Sequence, residues 1–431
     1  MIRFERYSWR HFPIAMVVLA LVIGGAAAAR EDERGSSWVG TWSTSPDGQK
    51  NSAILYGNDP IGFSNQTLRL MVHTSAGGHR ARVRVSNVFG SLPLVVGDAH
   101  IALRASGSAI VARSDRALTF SGSRSITIPA GALVLSDPVR LEVPALGDVA
   151  VSIYLPGDTG PATWHWEPVQ TSYVSPPGNF AGAVDLPPST ASTLHWFFLS
   201  GVDVLSDEGT AAVVALGDSI TDGELLAPDS NHRWPDFLAE RLHAWRGRSE
   251  VKSVLNQGIS GNQVLNDDYG QSALARFDRD VLGQAGVTHV IVLEGINDIG
   301  MPGFIAGALP GIPPQPPANA EDIIAGHRQL IARAHERGLK IFGGTLTPWM
   351  GSGDFYPGYG TPDGEVVRQA INVWIRGSHE YDAVIDFDAA VRDPQHPDRI
   401  LPVYDGGDHL HPSAKGYQAM ANAIDLRLFQ K

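Results

Sequence analysis

The 431-residue sequence contains no cysteine. It therefore cannot form a disulfide bond, a cysteine-ligated zinc site, an iron–sulfur cluster or a cysteine nucleophile. Positive charge is also scarce, because 33 Lys and Arg stand against 45 Asp and Glu and give a net charge of −12. A broad attraction to nucleic acid is therefore not expected. Hydrophobic residues make up 43% of the chain, which is enough for a sizeable core and excludes a disordered protein.

Long hydrophobic runs are lacking, apart from one near the start. Three arginines precede an apolar run over residues 13–23, and small residues follow it up to Ala29. A basic segment, an apolar segment and small residues are the parts of a signal peptide, and the run is shorter than the roughly 20 residues that span a bilayer. We therefore expect residues 1–29 to be a signal peptide and the mature protein to be secreted or periplasmic, without stable membrane insertion. An uncleaved anchor is the alternative.

A strong preference for Arg over Lys in the whole chain indicates a GC-rich bacterial genome.

The pattern of apolar residues divides the mature chain in two. Over 38–205 it is mostly alternating, as in Leu68, Leu70 and Val72, with glycine-rich turns between the runs. This predicts an N-terminal accessory domain folded as an antiparallel β-sandwich or jelly roll. Over 206–431 short apolar runs alternate with helical spacing, which predicts an α/β domain with a parallel sheet.

The expected elements of the second domain place its ligand site, because ligands bind where parallel strands end. The sequence predicts strands over 211–216, 251–255, 289–293, 341–346 and 383–387. It predicts helices over 235–245, 323–334, 366–375 and 413–429. The stretch 302–317 is rich in Pro and Gly and is expected to be a loop.

Two short blocks follow the first two of these strands. Gly-Asp-Ser at 217–219 would lift Ser219 to the rim of the sheet above helix N–H groups, which suits a nucleophile. Ordinary turn and N-cap chemistry is the alternative. The block 256–261 brings glycines whose N–H groups a substrate can approach closely, although a plain turn is the alternative.

Two further blocks lie later in the chain. The amide of Asn297, in the block 295–298, could donate to a developing oxyanion, or it could form an Asx-turn. Before the last helix, His411 could serve as a general base that is oriented by Asp408. Two alternatives remain for this block: half of a metal site formed by His409 and His411, or a simple loop before a helix.

Together the four blocks resemble those of the SGNH/GDSL hydrolase superfamily, and the resemblance covers about half of the chain. It implies a three-layer α/β/α fold with a flavodoxin-like sheet. Ser219 would be the nucleophile, His411 the base and Asp408 its partner. The resemblance also implies an oxyanion hole made by the backbone N–H groups of Ser219 and Gly261 and by the side chain of Asn297. Neither a metal nor a cofactor is implied.

Other segments resemble one secreted bacterial subgroup that carries an N-terminal β-domain and is grouped with carbohydrate esterases and arylesterases. These segments are 38–42, 65–69, 222–223 and 233–235. The resemblance covers nearly the whole mature chain. It implies a small-molecule or polysaccharide ester as substrate, but it identifies neither the ester nor an oligomeric state.

Aromatic residues supply the remaining candidates. Trp349, Tyr356 and Tyr359 lie among glycines after the 341–346 strand, where we expect a substrate-facing loop, with an inert surface loop as the alternative. Residues 164–166, Trp-His-Trp, suit either sugar stacking or packing between the domains. Acidic residues near the blocks, such as Asp298, are expected to fix loops by accepting backbone N–H bonds.

These observations favour a serine esterase that hydrolyses short-chain acyl esters, above all acetyl esters of carbohydrates, through an acyl-enzyme. The loops expected at the rim, 302–317 and 350–361, are rich in Gly, Pro and polar residues and lack an apolar groove. A lipase or arylesterase for longer acyl or aryl esters is the first alternative. The second is a non-catalytic polysaccharide-binding protein, although the intact set of blocks speaks against it.

Overall fold

The computed structural model describes residues 36–49, 52–55, 57, 60–207, 209–246, 249–309, 315 and 318–430. The expected signal peptide over 1–29 lies outside the described residues. Within these ranges the chain forms an antiparallel β-domain followed by an α/β domain, as the sequence predicts. No helix of the described part is both long and apolar enough to cross a bilayer.

The N-terminal domain consists mainly of two antiparallel sheets. The first sheet contains, in spatial order, β1 (Ser36–Ser43), β16 (Leu199–Asp207), β3 (Gly78–Ser86) and β10 (Val139–Val143), with β9 (Leu133–Leu135) beside β3. The second contains β14 (Ala191–Thr193), β13 (Ser172–Pro177), β2 (Gln66–Thr74), β11 (Gly147–Leu155), β5 (Asp98–Ser106) and β6 (Ala109–Ile110), with β7 (Arg116–Ala117) beside β5. Two short ribbons pair β4 (Leu94–Val96) with β8 (Ile126–Ile128) and β12 (Trp164–His165) with β15 (Trp196–Phe197). The domain also holds the short helix α1 (Ser52–Leu55) and a 3-10 turn at Ala112–Ser114.

The alternating residues of β2 are buried on both faces of the strand. The apolar face packs in the core as expected, and the opposite face is covered by another segment. Leu68, Leu70 and Val72 belong to the same apolar core as the inward-facing residues of β3. Arg69, on the opposite face of β2, is also fully buried. Its guanidinium donates to the carbonyl oxygens of Ser108 at 2.8 Å and Ala183 at 2.5 Å, so a covering segment closes this face of the sheet.

The C-terminal domain is built on five parallel strands. In spatial order they are β18 (Val251–Gly258), β17 (Ala211–Gly217), β19 (Val287–Leu293), β20 (Lys340–Gly344) and β21 (Ala383–Ile385). This is the 2-1-3-4-5 order of flavodoxin-like sheets, as the resemblance implies. All residues of β17 are buried, so both faces of the sheet are covered.

Helices and short turns connect these strands. They are α2 (Ser219–Asp222), α3 (Trp234–Ala244), α4 (Ala273–Phe277) with a π-helical turn at Asp278–Leu282, α5 (Ile296–Ala308), α6 (Ala320–Glu336), α7 (Pro362–Gly377), α8 (Phe387–Val391) and α9 (Ala414–Ala423), with 3-10 turns at Ser352–Asp354 and Leu426–Phe429. Every helix that the sequence predicts in this domain is present, whereas α4, α5 and α8 were not expected.

Several boundaries differ from those predicted. The closing helix ends at Ala423, because Asp425 accepts the N–H of Arg427 and starts a separate 3-10 turn. The expected loop over 302–317 begins inside α5, which contains Pro302. Residues 310–314 and 316–317 of this stretch lie outside the described residues. Gly303 allows α5 to pack directly on another segment, where a Cβ at this position would lie 2.7 Å from the Cα of Gly358. Tertiary packing here overrides a poor helix propensity.

The two domains share an extensive polar contact along β1. The N–H of Gly40 donates to the carbonyl of Ala285 at 2.9 Å, and the hydroxyl of Ser253 donates to the carbonyl of Gly40. Arg84, on β3, donates to the carbonyl of Gly283 at 2.8 Å. The expected boundary at 205/206 falls near the end of β16, five residues before β17 begins at Ala211. The segment 38–42, which the subgroup resemblance singled out, is therefore part of the domain interface.

Candidate active site

Ser219 stands at the turn between β17 and α2. The strand ends at Gly217, and Asp218 caps the helix by accepting the N–H of Ile220 at 2.9 Å. Ser219 is thus the first helical residue, and N–H groups of a first turn have no partner within the helix. Ser219 is only 4% exposed, and it lines the cavity described below.

The side chains of Ser219, His411 and Asp408 form a continuous hydrogen-bonded chain. Nε2 of His411 lies 2.8 Å from the hydroxyl oxygen of Ser219, and Nδ1 lies 2.6 Å from Oδ2 of Asp408. The second carboxylate oxygen of Asp408 accepts the backbone N–H groups of Leu410 and His411 at 3.0 and 2.8 Å. The imidazole is therefore held between a hydroxyl and an anchored carboxylate, which is the arrangement of a serine nucleophile with its base.

The electrostatic environment favours a protonated His411. Burial works to lower the pKa of His411, but the Asp408 hydrogen bond and the nearby Glu224 outweigh it and raise this pKa above its ordinary value. Burial works to raise the pKa of Asp408, and the hydrogen bonds from His411 outweigh it in turn, so that this carboxyl stays ionised. Asp408 is thus an anionic partner for the imidazolium that forms when His411 accepts a proton.

This environment leads to a prediction about pH. Only the neutral imidazole can accept a proton, so log kcat/KM for an ester substrate should rise with pH. Because the pKa of His411 is raised, the midpoint of this rise should lie above the ordinary value of about 6.5. Removing the Glu224 charge in Glu224→Gln should move the midpoint to lower pH. A profile that is flat between about pH 5 and about pH 9 would contradict His411 as the base.

The three candidate oxyanion donors lie around the same space. Gly261 has a φ of +77°, and a Cβ there would lie 2.7 Å from Cγ of Tyr269, so glycine is required at this position. The amide of Asn297 donates one N–H to the carbonyl of Asn262 at 2.8 Å, and its oxygen accepts the hydroxyl of Tyr359 at 2.6 Å. Its second N–H is available to a substrate oxygen. The structure thus brings Gly261 and Asn297 to the same cavity as Ser219.

This cavity has a volume of about 270 Å³ and opens to solvent. Both domains contribute to its lining, which is a mixture of polar, aromatic and a few aliphatic side chains. The lining residues are Leu55, Trp166, Glu167, Ser219, Glu224, Ser260, Gly261, Tyr269, Asn297, Met301, Phe304, Tyr356, Tyr359, Leu410 and His411. Ser219 and His411 are thus reached from a small cleft between the domains.

Residues 215–419 match the model of the GDSL-like lipase/acylhydrolase family. This part of the chain is a GDSL-like hydrolase domain. The match spans all four blocks and just under half of the chain, and it confirms the family that the blocks imply. A comparison with curated protein sequences gave no match.

About half of the chain is also similar to solved structures. An acetylxylan esterase from Geobacillus stearothermophilus is 23% identical, with 50% of this chain and 93% of that chain covered and a TM-score of 0.37. A carbohydrate acetylesterase family member from Sinorhizobium meliloti is 16% identical, with 51% and 98% covered and a TM-score of 0.38. A GDSL-like lipase from Bacteroides thetaiotaomicron is 18% identical, with 50% and 86% covered and a TM-score of 0.36. Likenesses of this size do not identify a shared substrate.

The GDSL-like domain uses its predicted aromatic residues in two ways. Tyr356 and Tyr359 line the cavity, but their hydroxyls are bonded to the other site residues: Tyr356 donates to Oδ2 of Asp408 at 3.0 Å, and Tyr359 to Asn297. Trp349, expected to contact substrate, is fully buried and does not line the cavity. Its indole N–H donates to Glu365 at 3.0 Å, and its ring packs edge-on against Tyr359. A large apolar ring is more stable beneath such a loop than on it, and Trp349 supports Tyr359 from below.

The metal alternative finds no support in the geometry of this domain. Nδ1 of His409 lies 2.5 Å from Oδ2 of Asp405, whereas His411 turns to Ser219. Within the described ranges no group of three or more His, Cys, Asp or Glu could hold a metal ion. Asp298, as expected, accepts backbone N–H bonds, from Val264 at 2.8 Å and from the next residue at 3.0 Å. It thereby fixes the loop that follows Gly261.

Sugar stacking and packing between the domains were the two roles considered for residues 164–166, and the structure places these three residues differently. Trp164 is buried in the core of the β-domain, whereas Trp166 lies on the cavity wall. His165 joins the domains, with Nε2 lying 2.9 Å from Oδ1 of Asp222 and Nδ1 lying 2.9 Å from the carbonyl of Ser45. Since Asp222 ends the helical turn that Ser219 begins, the β-domain directly braces the segment that carries the serine.

Arg276 was not among the predicted site residues, yet it lies directly beneath the site of the GDSL-like domain. It is fully buried and donates to the carbonyl of Gly217 at 2.9 Å, the carbonyl of Gln257 at 2.6 Å and the side chain of Asn262 at 2.9 Å. One guanidinium thus joins the ends of β17 and β18. An arginine within a short helix gives no sequence signal of this kind, because its partners come from distant segments.

Two carboxyl groups on the cavity wall were also missed. Glu167 comes from the β-domain and Glu224 from the GDSL-like domain. Burial and the adjacent Glu224 raise the pKa of Glu167 to about 8. Each of these residues directly follows a segment that the sequence analysis singled out, and that proximity is the signal that could have found them.

Proposed function

We propose that this protein is an exported serine esterase that removes acetyl and other short acyl groups from carbohydrates. The observation that carries the proposal is the bonded chain of Ser219, His411 and Asp408, which opens onto a small cavity beside Gly261 and Asn297. Hydroxyl, imidazole and carboxylate in this order are the parts of acyl transfer by a serine.

In the first half of the proposed reaction, the Ser219 hydroxyl oxygen attacks the ester carbonyl carbon while its proton passes to Nε2 of His411. The former carbonyl oxygen becomes an oxyanion, to which the N–H groups of Ser219 and Gly261 and the amide of Asn297 donate. Collapse of this intermediate breaks the bond to the alcohol oxygen, which takes the proton from His411. The products of this half are the free alcohol and an acyl group on Ser219.

In the second half, a water molecule takes the place of the alcohol. Its oxygen attacks the acyl carbon while His411 accepts its proton, and the same donors stabilise the second oxyanion. Collapse breaks the bond to the oxygen of Ser219, which recovers its proton from His411. The acid leaves, and the resting state with neutral His411 is restored.

The dimensions and lining of the cavity favour a short acyl group. Ligand pockets commonly measure about 300–1,000 Å³, and this cavity of about 270 Å³ is slightly smaller than that range. Among the lining residues that the structure describes, the aliphatic ones are Leu55, Met301 and Leu410. A long acyl chain would gain about 0.8 kcal/mol for each methylene it buries, but only along a continuous apolar groove. Aromatic and polar side chains suit a sugar ring that carries a small acyl group.

The acyl preference is tested with p-nitrophenyl esters of increasing chain length. We expect kcat/KM to peak at acetyl or propionyl and to fall steeply by octanoyl, and we expect acetate release from at least one acetylated oligosaccharide. A kcat/KM that climbs through octanoyl would favour a lipase instead. Absence of hydrolysis with every ester, together with binding to a polysaccharide, would favour the non-catalytic alternative.

Export is the second part of the proposal and rests on the basic, apolar and small-residue segments of 1–29. The test is to express the full chain in a bacterial host and to sequence the N-terminus of the protein recovered outside the cytoplasm. We expect the mature protein to begin close to residue 30. An intact N-terminus in the membrane fraction would favour the uncleaved anchor.

A further inference from the structure

The segment that carries Glu167 is fixed from both domains. The carbonyl of Trp166 accepts Nδ1–H of His195 at 2.5 Å within the β-domain, and the carbonyl of Pro168 accepts the guanidinium of Arg233 from the hydrolase domain. Glu167, between them, lines the cavity that contains Ser219. The β-domain thus places a carboxyl group in the candidate active site on a well-supported backbone.

Glu224 meets Glu167 from the other domain. Its Oε2 accepts the hydroxyl of Ser260 at 2.8 Å, and its backbone carbonyl accepts the hydroxyl of Tyr417 at 3.1 Å. Glu167 and Glu224 line the same cavity, and Glu224 acts to raise the pKa of the Glu167 carboxyl. Among the cavity-lining residues that the structure describes there is no Lys or Arg to balance them.

The carboxyl pair lines the same cavity as His411. Both carboxyl groups interact electrostatically with His411: Glu224 acts to raise the pKa of His411, and His411 acts to lower that of Glu167. In the proposed reaction, His411 delivers a proton to the oxygen of the leaving alcohol. The alcohol part of the ester therefore lies beside His411, in the cavity that the carboxyl pair also lines.

The charge of the pair depends on pH. Burial, Glu224 and Asp222 raise the pKa of Glu167 to about 8, while His411 opposes them. Glu167 is therefore largely protonated below about pH 8 and ionised above it. The other titratable groups that face it are phenols: burial and Glu224 raise the pKa of Tyr269 to about 12, and burial likewise raises the pKa of Tyr356. Both phenols remain neutral over the working range.

We propose that Glu167, together with Glu224, is a specificity-determining residue that makes this site reject esters whose alcohol part carries a carboxylate and accept uncharged ones. The inference rests on the proposed function. In carbohydrate terms, acetylated neutral saccharides are substrates and acetylated uronates are not. The physical cause is repulsion between like charges in a partly enclosed cavity, where the screening by water is reduced.

The test compares two acetate esters that differ in charge but not in shape, 4-acetoxybenzamide and 4-acetoxybenzoate. The measured quantity is the kcat/KM of the neutral amide divided by that of the anionic benzoate, at about pH 9, where Glu167 is ionised. We expect Glu167→Gln to lower this ratio about tenfold, and Glu167→Gln with Glu224→Gln to lower it further. In the wild type, the ratio should also fall between about 0.01 M and about 0.5 M salt.

Glu142→Gln is the matched control, because Glu142 is an exposed glutamate of the same domain outside the cavity lining. It should leave the ratio at the wild-type value. If the wild type hydrolyses both esters and Glu167→Gln has the same ratio as Glu142→Gln, the inference is overturned while the proposed function stands. If the wild type hydrolyses neither ester, both are overturned.

Discussion

Replacing Ser219 with alanine is expected to lower kcat for p-nitrophenyl acetate by about 10⁴-fold or more. The alanine removes the oxygen that attacks the substrate ester in the proposed reaction, and Nε2 of His411 loses its partner at 2.8 Å. His411→Ala should cost a similar factor. Because the two residues act as one unit, the double variant should lose little more than either single variant. Asp408→Asn should be harmful to a smaller extent, since the imidazole then loses only its orienting carboxylate.

Ser192→Ala is the matched control for this series, because Ser192 is exposed on β14. It should keep wild-type kcat. The Ser219 variant should keep the wild-type circular dichroism spectrum and melting temperature, since one hydroxyl at a rim contributes little to stability. Near-wild-type turnover in Ser219→Ala would disprove the proposed mechanism.

Replacing Asn297 with alanine is expected to lower kcat by about 10²–10³-fold with a smaller effect on KM. The reason for this split is that the amide matters most when negative charge develops on the substrate oxygen. The structure also orients this amide before any substrate arrives, because Tyr359 donates to its oxygen at 2.6 Å and the carbonyl of Asn262 accepts one N–H at 2.8 Å.

The Tyr359→Phe variant tests how much the orientation of the Asn297 amide contributes to catalysis, because the amide itself remains available as a donor. It keeps the ring that packs on Trp349 and removes only the hydroxyl bonded to Asn297. We expect a loss of about tenfold in kcat with little change in KM, because the amide is still present but less well oriented. If both variants changed KM alone, Asn297 would be a substrate-binding residue and its oxyanion role would be wrong.

The sequence predicts the location of the four blocks well, because each is tied to a local pattern. Ser219 directly follows a short apolar run, and the carboxyl ends of parallel strands meet at one edge of a sheet. His411 lies just before an amphipathic stretch with helical spacing. Such patterns depend only on near neighbours in the chain, so the topology of the sheet brings the blocks together without any knowledge of side-chain packing.

The remaining features depend on packing between distant segments. Trp349 lies among glycines in a loop, a pattern typical of an exposed site, yet its ring fills the space beneath Tyr359. Glu167 reaches the cavity because the loop after β12 is held against the hydrolase domain by Arg233. The contact of Trp349 with Tyr359 forms inside the hydrolase domain, whereas the bond that holds the Glu167 loop forms only when the two domains come together. Neither contact follows from the local sequence pattern, although the adjacent Trp-His-Trp segment marks the position of Glu167.

The origin of the cavity wall has a consequence for how this protein could change over evolutionary time. Trp166 and Glu167 lie outside residues 215–419, the part of the chain by which its family is assigned. Mutations in the β-domain could therefore alter which alcohols are accepted while the catalytic blocks stay unchanged. Chains with identical hydrolase segments could in this way differ in the esters that they hydrolyse. A hydrolase segment joined to a different β-domain would lose the part of its selectivity that Trp166 and Glu167 provide.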